Sequence, residues 1–194
     1  NSAQCAINNI YQTQGKIFGL VVPKNKVETI LNSEQSKKLV EDGLVIVKDT
    51  PKPQFILSAI GAYQLEESLV AYKMLENKGV LGRLIYIQEP SKLRSPRCSG
   101  ELEYVLDDLV VEKFYPTNIK KRGFIVHTRP EPIIGLLRRI DTGSANTKYL
   151  GYINNGGTLS TKGMLYTNQC SRFHIVKEIA HLLSLPIISL LEDK

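Results

Sequence analysis

The residues best suited to binding chemistry are concentrated in one stretch, Tyr149 to His174, which reads YLGYINNGGTLSTKGMLYTNQCSRFH. Its first half is rich in asparagine, glycine, serine and threonine. Glycine permits close backbone approach and positive φ, while amides and hydroxyls supply hydrogen-bond donors and acceptors without charge. Such a composition fits either a cradle for a phosphate or a docking surface for another protein surface.

The sequence contains no recognisable catalytic constellation. The motifs of nucleophile elbows, phosphate-binding loops, protein kinases and H-E-x-x-H metalloproteases are all absent. Asp107 and Asp108 are adjacent on an expected helix, so their carboxylates diverge and cannot act as a pair. Glu66 and Glu67 have the same geometry. We therefore predict no catalytic residue in this chain.

The cysteines and the overall charge restrict the compartment and the partners. Cys5, Cys98 and Cys170 are far apart and have no C-x-x-C or Cys/His metal spacing, so we predict no metal ligand and a reducing, cytoplasmic environment. The net charge of +6 comes from scattered lysines and arginines without basic-aromatic alternation, which argues against a nucleic-acid partner. An anionic small molecule explains the sign equally well.

No apolar run approaches the roughly 20 residues that a membrane-spanning helix needs, so no membrane partner is predicted. The chain begins with Asn1 rather than methionine, and we expect it to be a processed or excised piece of a longer protein.

The first quarter of the chain is expected to be an arm that precedes the main domain. Helical spacing is expected before Gln14, and a buried strand over Ile17–Val22, ending just before Lys24. A capping box of Asn32 and Gln35 predicts a helix that Gly43 ends. A strand follows at 44–47, and the proline-rich stretch 49–53 is the best linker. We place a domain boundary there, dividing residues 1–50 from residues 51–194.

Beyond that linker, strands and helices alternate. The predicted strands are 55–62, 84–87, 124–127 and 148–153, and the predicted helices are 64–77, one capped by Ser99 that covers 102–109, one opening at Pro130, and 171–183 with Phe173 facing inward. Continuous rather than alternating apolar strands indicate a mostly parallel sheet with helices on both faces. Right-handed crossovers then gather Gly61, Glu89, His127 and Asn154 at one sheet edge.

Several short segments of this chain resemble a known family. HTRP, LLRR, GYINNGGTLSTKGM and RFHIV follow in that order between His127 and Val176. Together they resemble the C-terminal portion of phosphoketolases, thiamine-diphosphate enzymes related to transketolase. LVVPKNK, LNSEQ and FILSAIGA extend the resemblance upstream over nearly the whole chain.

The resemblance implies a transketolase-like C-terminal domain, a three-layer α/β/α fold with a mixed sheet in which one edge strand is antiparallel. The parent enzyme would cleave xylulose 5-phosphate or fructose 6-phosphate with inorganic phosphate to acetyl phosphate and an aldose phosphate. Thiamine diphosphate and Mg²⁺ or Ca²⁺ would be held by upstream domains of the same chain. Residues 1–50 would be the tail of the pyrimidine-binding domain, and this fragment would bind no cofactor, join a homodimer and be inactive alone.

The resemblance also assigns site residues. Lys24 matches the family's lysine at the substrate-phosphate end of the active site, and an ammonium on a loop is a compact partner for phosphate. On this resemblance, the stretch from Tyr149 to His174 is a docking surface against a neighbouring domain or subunit. Arg172 and His174 would fix the helix that follows it. The interface candidates are His127, Asn154, Thr158, Thr161, Arg172 and His174.

Two other functions are open at this stage. The chain could be a non-catalytic module whose role is dimerisation, which is compatible with the phosphoketolase assignment. It could also be a free-standing α/β binder of a phosphorylated metabolite.

Overall fold

A five-stranded mixed sheet forms the centre of the computed structural model, which describes residues 3–4, 7–8, 19, 21–153 and 157–187. The strands are β1 (Leu44–Lys48), β2 (Phe55–Ile60), β3 (Gly82–Ile87), β4 (Arg122–Val126) and β5 (Thr147–Leu150). Their spatial order is β1-β3-β2-β4-β5. Strands β2 to β5 pair in parallel, whereas β1 pairs antiparallel with β3 at the sheet edge. The mixed sheet with one antiparallel edge strand was predicted.

Six α-helices are described around this sheet. They are α1 (Ser33–Asp42), α2 (Ala62–Asn77), α3 (Asp108–Phe114), α4 (Pro130–Leu136), α5 (Thr161–Thr167) and α6 (Arg172–Leu183). Short 3-10 turns lie at Pro90–Leu93, Ser99–Glu101 and Arg138–Ile140. Across the described residues, no helix is both long and apolar enough to cross a membrane.

Strand β2 shows why the fold has three layers. All six of its residues are buried, and side chains of a strand alternate between the two faces of the sheet. Phe55 and Leu57 belong to a core cluster that includes residues of α2 and α6. Ile56 and Ile60 belong to a second cluster that includes residues of α3 and α4. The three-layer α/β/α prediction is therefore confirmed.

Local signals set the limits of α1. The backbone N–H of Gln35 donates to Asn32 Oδ1 at 2.8 Å, and the backbone N–H of Asn32 donates to Gln35 Oε1 at 3.2 Å. Gly43 ends the helix with φ +78°, a left-handed conformation that favours glycine. The predicted capping box and stop are both present.

Two predicted elements near the ends of the chain need correction. Val21 and Val22 are 93% and 71% exposed and lie outside any strand, so they do not form the end of a buried strand. Among the described residues no layer covers them, and an apolar sequence alone does not specify what covers it. Residues 17, 18 and 20 of that predicted strand lie outside the described part of the chain. Phe173 on α6 is 48% exposed instead of facing inward, because the buried stripe of that helix passes through Ile175, Val176 and Ile179.

The helix expected from Ser99 lies later in the chain. Residues Ser99–Glu101 form only a 3-10 turn. The α-helix starts instead at Asp108, because the Asp107 side chain accepts a hydrogen bond from the backbone N–H of Val110 at 2.8 Å. An aspartate is a strong N-cap, and this one defines the start of α3.

A buried arginine, the first residue of β4, anchors the start of that strand to the neighbouring turns. The guanidinium of Arg122, in a residue only 4% exposed, donates to four backbone carbonyls. The acceptors belong to Ile119, Ile140, Tyr115 and Pro116, at 2.7 to 3.2 Å. One side chain therefore connects the turn before β4 to the turn after α4.

The segment around residue 50, which was predicted to be a linker, is hydrogen-bonded to strand β3. Arg83 of β3 forms a two-point pair with Asp49 at 3.0 and 2.8 Å, and Thr50 donates to the carbonyl of Gly82 at 3.1 Å. The strand β1 before this segment belongs to the same sheet as the strands after it. A domain boundary between residues 50 and 51 remains a prediction about the longer protein.

Candidate functional site

Two strand ends meet at the carboxyl edge of the sheet, as predicted. His127 follows β4, and its Nδ1–H donates to the carbonyl of Ile60, the last residue of β2, at 3.2 Å. Gly61 has φ +115°, and a Cβ built on it would lie 2.9 Å from the Cβ of His127 and 2.4 Å from Oε1 of Gln64. Only glycine allows this close approach of the backbone at residue 61 to His127 and Gln64 without strain. This approach places the exposed His127 beside the N-terminus of α2.

Lys24 reaches the same edge through its neighbour Asn25. The backbone N–H of Asn25 donates to the hydroxyl of Tyr63 at 3.1 Å, and its side-chain amide donates to Oγ1 of Thr161 at 3.3 Å. Glu28 continues the contact, because its backbone N–H donates to Oε1 of Glu66 at 3.2 Å. The segment 24–28 therefore runs across the first turns of α2. Lys24 itself is exposed.

The stretch between the predicted strand 148–153 and the predicted helix 171–183, to which no element was assigned from sequence, contains a helix. Helix α5 starts at Thr161 because Ser160 caps it, its hydroxyl accepting a hydrogen bond from the backbone N–H of Gly163 at 3.2 Å. Thr158 is exposed just before the cap. Asn154 lies outside the described residues. Thr161 is thus brought next to Asn25, 136 residues earlier in the chain.

Arg172 fixes the start of α6 on α2. Its backbone N–H donates to Glu67 Oε2 at 2.7 Å, and its guanidinium donates to both carboxylate oxygens at 3.0 and 2.6 Å. Burial raises the pKa of Glu67, but the hydrogen bonds and charge of Arg172 lower it more strongly, so the pKa lies below its usual value. Glu67 therefore carries a buried negative charge at neutral pH and supplies the first turn of α6 with an acceptor.

His174 is held in the same first turn of α6, two residues after Arg172. Its Nδ1 is hydrogen-bonded to the hydroxyl of Ser171 at 2.8 Å, and its ring meets the ring of Tyr166 edge-on at 5.1 Å. Burial and the charge of Lys177 lower the pKa of His174, against an opposing effect of Glu178. The imidazole is therefore neutral near pH 7 and serves as a packing and hydrogen-bonding group.

Several residues of this edge were missed from sequence. Asn25, Tyr63, Gln64 and Glu67 were assigned no role. Asn25, Tyr63 and Glu67 nevertheless make the hydrogen bonds that connect the predicted segments, and Gln64 lies against Gly61. Gln64 is 1% exposed, and its side-chain Nε2 has no hydrogen-bond partner among the described residues. One signal was available, because Gln64 and Ser68 fall on the helical stripe that Tyr72 and Leu75 continue. Polar residues on a buried helical stripe indicate that this face of the helix contacts polar groups as well as the apolar core.

The described residues contain no cluster of the side chains that most often bind a metal ion. No cluster of three or more His, Cys, Asp or Glu side chains is placed to hold a metal ion within them. Cys170 is buried and its thiol donates to the carbonyl of Leu165 at 3.4 Å, while Cys98 is exposed. We therefore assign no metal ligand among the described residues.

The matches to known proteins agree with this fold. A family model described as the XFP C-terminal domain matches residues 24–187. The chain belongs to the XFP C-terminal domain family. Within its curated relatives, it is 24% identical over 184 residues to a xylulose-5-phosphate phosphoketolase of Lactiplantibacillus pentosus, covering 91% of this chain. The present chain spans only 23% of the length of that relative.

The solved structures that are similar to this chain include several transketolases. A transketolase from Leishmania mexicana is 13% identical with a TM-score of 0.57, over 82% of this chain and 20% of that one. A transketolase mutant from Pichia stipitis is 11% identical with a TM-score of 0.58, over 95% and 24%. A split-gene transketolase, titled an inactive beta4 tetramer, is 14% identical with a TM-score of 0.54, over 82% and 47%. The phosphoketolase resemblance and the transketolase-like fold are both confirmed.

Proposed function

We propose that this domain is the C-terminal part of a thiamine-diphosphate-dependent phosphoketolase. The longer enzyme cleaves xylulose 5-phosphate or fructose 6-phosphate with inorganic phosphate, giving acetyl phosphate and an aldose phosphate. The proposal rests on the match of 91% of this chain to a segment that makes up 23% of a xylulose-5-phosphate phosphoketolase. Thiamine diphosphate and its Mg²⁺ or Ca²⁺ belong in this proposal to upstream domains, and the compartment is the cytoplasm.

The domain's own contribution is to present Lys24 to a substrate phosphate. Asn25 connects this segment to Tyr63 and Thr161, so the lysine is attached to the carboxyl edge of the sheet rather than to a free arm. Its exposed ammonium is accessible to a phosphate held by the rest of the enzyme. No other side chain of the domain is assigned a role in the reaction, and we propose that the domain alone is inactive.

The assay is acetyl phosphate release by the full-length protein from xylulose 5-phosphate or fructose 6-phosphate, with and without thiamine diphosphate. Product that depends on thiamine diphosphate supports the proposal, and absence of product from both sugars contradicts it. Replacing Lys24 by Gln should raise KM for the sugar phosphate about tenfold or more, because a hydrogen bond to a charged group contributes about 1.5–3 kcal/mol. Lys37→Gln, on the exposed side of α1, is the matched control.

A second candidate role is assembly, and exposed apolar side chains near the carboxyl edge favour it. Leu159, Tyr166 and Phe173 are 50%, 59% and 48% exposed and belong to the stretch around α5 and the start of α6. Exposed apolar groups that are close together commonly mark an interaction surface. We propose that this surface, defined by these three residues, packs against a second copy of the domain or its upstream neighbour.

Sedimentation of the 194-residue chain distinguishes these two occupants. A dimer that Phe173→Ser converts to a monomer places the second copy on the surface. A strict monomer assigns the surface to the upstream domains. Leu109→Ser is the control, because Leu109 is 79% exposed and lies on α3. A dimer that neither substitution weakens contradicts a role for this surface.

A further inference from the structure

Four arginines line one cleft that lies away from the carboxyl-edge residues described above. The cavity has a volume of about 470 Å³ and is bordered by Arg94, Arg97, Arg138 and Arg139, with Ser95 and Leu136. None of the described residues that line it is acidic. It lies between the loop that follows β3 and the end of α4. It shares no lining residue with the segment of Lys24 or with the surface around α5.

The charges around the cleft do not cancel. The carboxylate of Glu101 pairs with both Arg94 and Arg97, the latter at 2.5 Å. Asp108 pairs with Arg139 at 2.5 Å. Among the described residues Arg138 has no carboxylate partner, and it is exposed. Two carboxylates therefore face four guanidinium groups, which leaves an excess of two positive charges in a concave site.

Two of these arginines are held in place before any ligand arrives. The side chains of Arg94 and Arg139 are 19% and 14% exposed. Arg139 also donates to the carbonyl of Leu106 at 2.6 Å. Arg97 is different, because its side chain is 80% exposed. Fixed guanidinium groups lose less conformational entropy on binding than flexible surface chains do.

We propose that this arginine cleft binds a small anion carrying two or more negative charges on phosphate or carboxylate groups. The guanidinium fork matches the oxygen spacing of both groups and binds them through two parallel hydrogen bonds. The cavity volume lies in the range of small-molecule sites, about 300–1,000 Å³. The excess positive charge fits a ligand of at least two charges. This site is separate from the substrate-phosphate role of Lys24 and does not depend on the proposed phosphoketolase activity.

The test is isothermal titration calorimetry of the 194-residue chain with pyrophosphate and with citrate at low ionic strength. Sodium chloride at matched ionic strength is the reference titration. Binding of pyrophosphate alone supports a phosphate ligand, binding of citrate alone supports a carboxylate ligand, and binding of both supports the shared chemistry. Absence of binding by both probes overturns the proposal.

Two variants locate the site. Arg97→Gln and Arg138→Gln should each weaken binding about tenfold or more, since each removes a charged donor. Lys37→Gln removes one positive charge from α1, outside the cleft, and should leave binding within about twofold. Equal weakening by all three substitutions would indicate only a general effect of surface charge and would overturn the proposal. Far-ultraviolet circular dichroism and thermal melting verify that each variant is folded.

Discussion

Arg172 donates three hydrogen bonds to the carboxylate of Glu67, which lies 105 residues earlier in the chain. The side chains are 26% and 6% exposed, so the pair is largely shielded from water. It joins the start of α6 to the second turn of α2 on one face of the sheet. This contact fixes the position of the stretch that carries Thr161, Arg172 and His174.

Removing the cation should destabilise the fold. Arg172→Met leaves the buried carboxylate of Glu67 without its guanidinium partner, and we expect a loss of about 3 kcal/mol in the free energy of unfolding. Urea denaturation followed by circular dichroism measures this loss. Arg129→Met is the control, because the Arg129–Glu131 pair has side chains that are 65% and 66% exposed and should contribute under about 1 kcal/mol. Equal losses in the two variants would contradict a special role for the buried pair.

The same pair predicts a pH dependence. The pKa of Glu67 is lower in the folded state than its ordinary value of 4.5, so its contribution to stability is fully present above that value. The contribution is lost as the pH falls through the folded pKa. Urea titrations between pH 7 and pH 3 should therefore show a steeper loss of stability below pH 4.5 for the native chain than for Glu67→Gln. Parallel profiles would show that Glu67 does not titrate differently on folding.

A lysine should not replace the arginine that anchors the start of β4. Arg122 donates to four backbone carbonyls, and a single ammonium cannot reach all of them. We expect Arg122→Lys to cost about 3 kcal/mol, because buried carbonyls lose their donors. Urea denaturation measures the change, and Arg129→Lys at an exposed position should stay within about 0.5 kcal/mol. A loss for Arg122→Lys no larger than that of the control would refute the anchoring role.

Gly151 should tolerate no side chain. A Cβ at this position would lie 2.4 Å from the carbonyl oxygen of Thr128 and 2.6 Å from Cγ2 of Val126. Gly151→Ala must shift backbone, and we expect a cost of about 1–3 kcal/mol as in other overpacked sites. Gly135→Ala, on α4, meets no atom within 4 Å and should be neutral or stabilising by up to about 1 kcal/mol. Differential scanning calorimetry compares the two, and a stable Gly151→Ala variant would show that this approach can relax.

The contact between Asn25 and Thr161 should protect the segment that carries Lys24. Asn25→Ala removes the side-chain donor, and local opening should raise trypsin cleavage after Lys24 and Lys26 by about threefold, equivalent to roughly 0.7 kcal/mol. Thr161→Val removes the acceptor without affecting the Ser160 cap and should have the same effect. The double variant should be no more sensitive than either single one. Additive effects would mean that the two side chains act separately.

Local elements were predictable wherever one short segment carried its own signal. The capping box of Asn32 and Gln35, the stop at Gly43 and the apolar run of β2 each act within about ten residues. Helix α3 could have been located by the Asp107 cap, but Ser99 offered a competing cap earlier in the chain. Helix α5 was not predicted, because Gly163 and the glycines before it favour a loop. The Ser160 N-cap is a single residue and is a weak signal on its own.

The carboxyl-edge site was only partly predictable for a physical reason. The parallel βαβ rule places Gly61 and His127 together, since the ends of parallel strands share one edge. Nothing in the local sequence connects Glu67 to Arg172 or Asn25 to Thr161. These pairs depend on how helices pack against each other over the sheet.

The sequence by itself determined the α/β class, the positions of most strands and helices, and the membership in the XFP C-terminal domain family. Periodicity and caps specify which way a side chain points within one element. Only the tertiary structure decided which elements are neighbours. It therefore buried the Glu67–Arg172 pair, attached the Lys24 segment to α2, left Phe173 exposed and brought four arginines into one cleft.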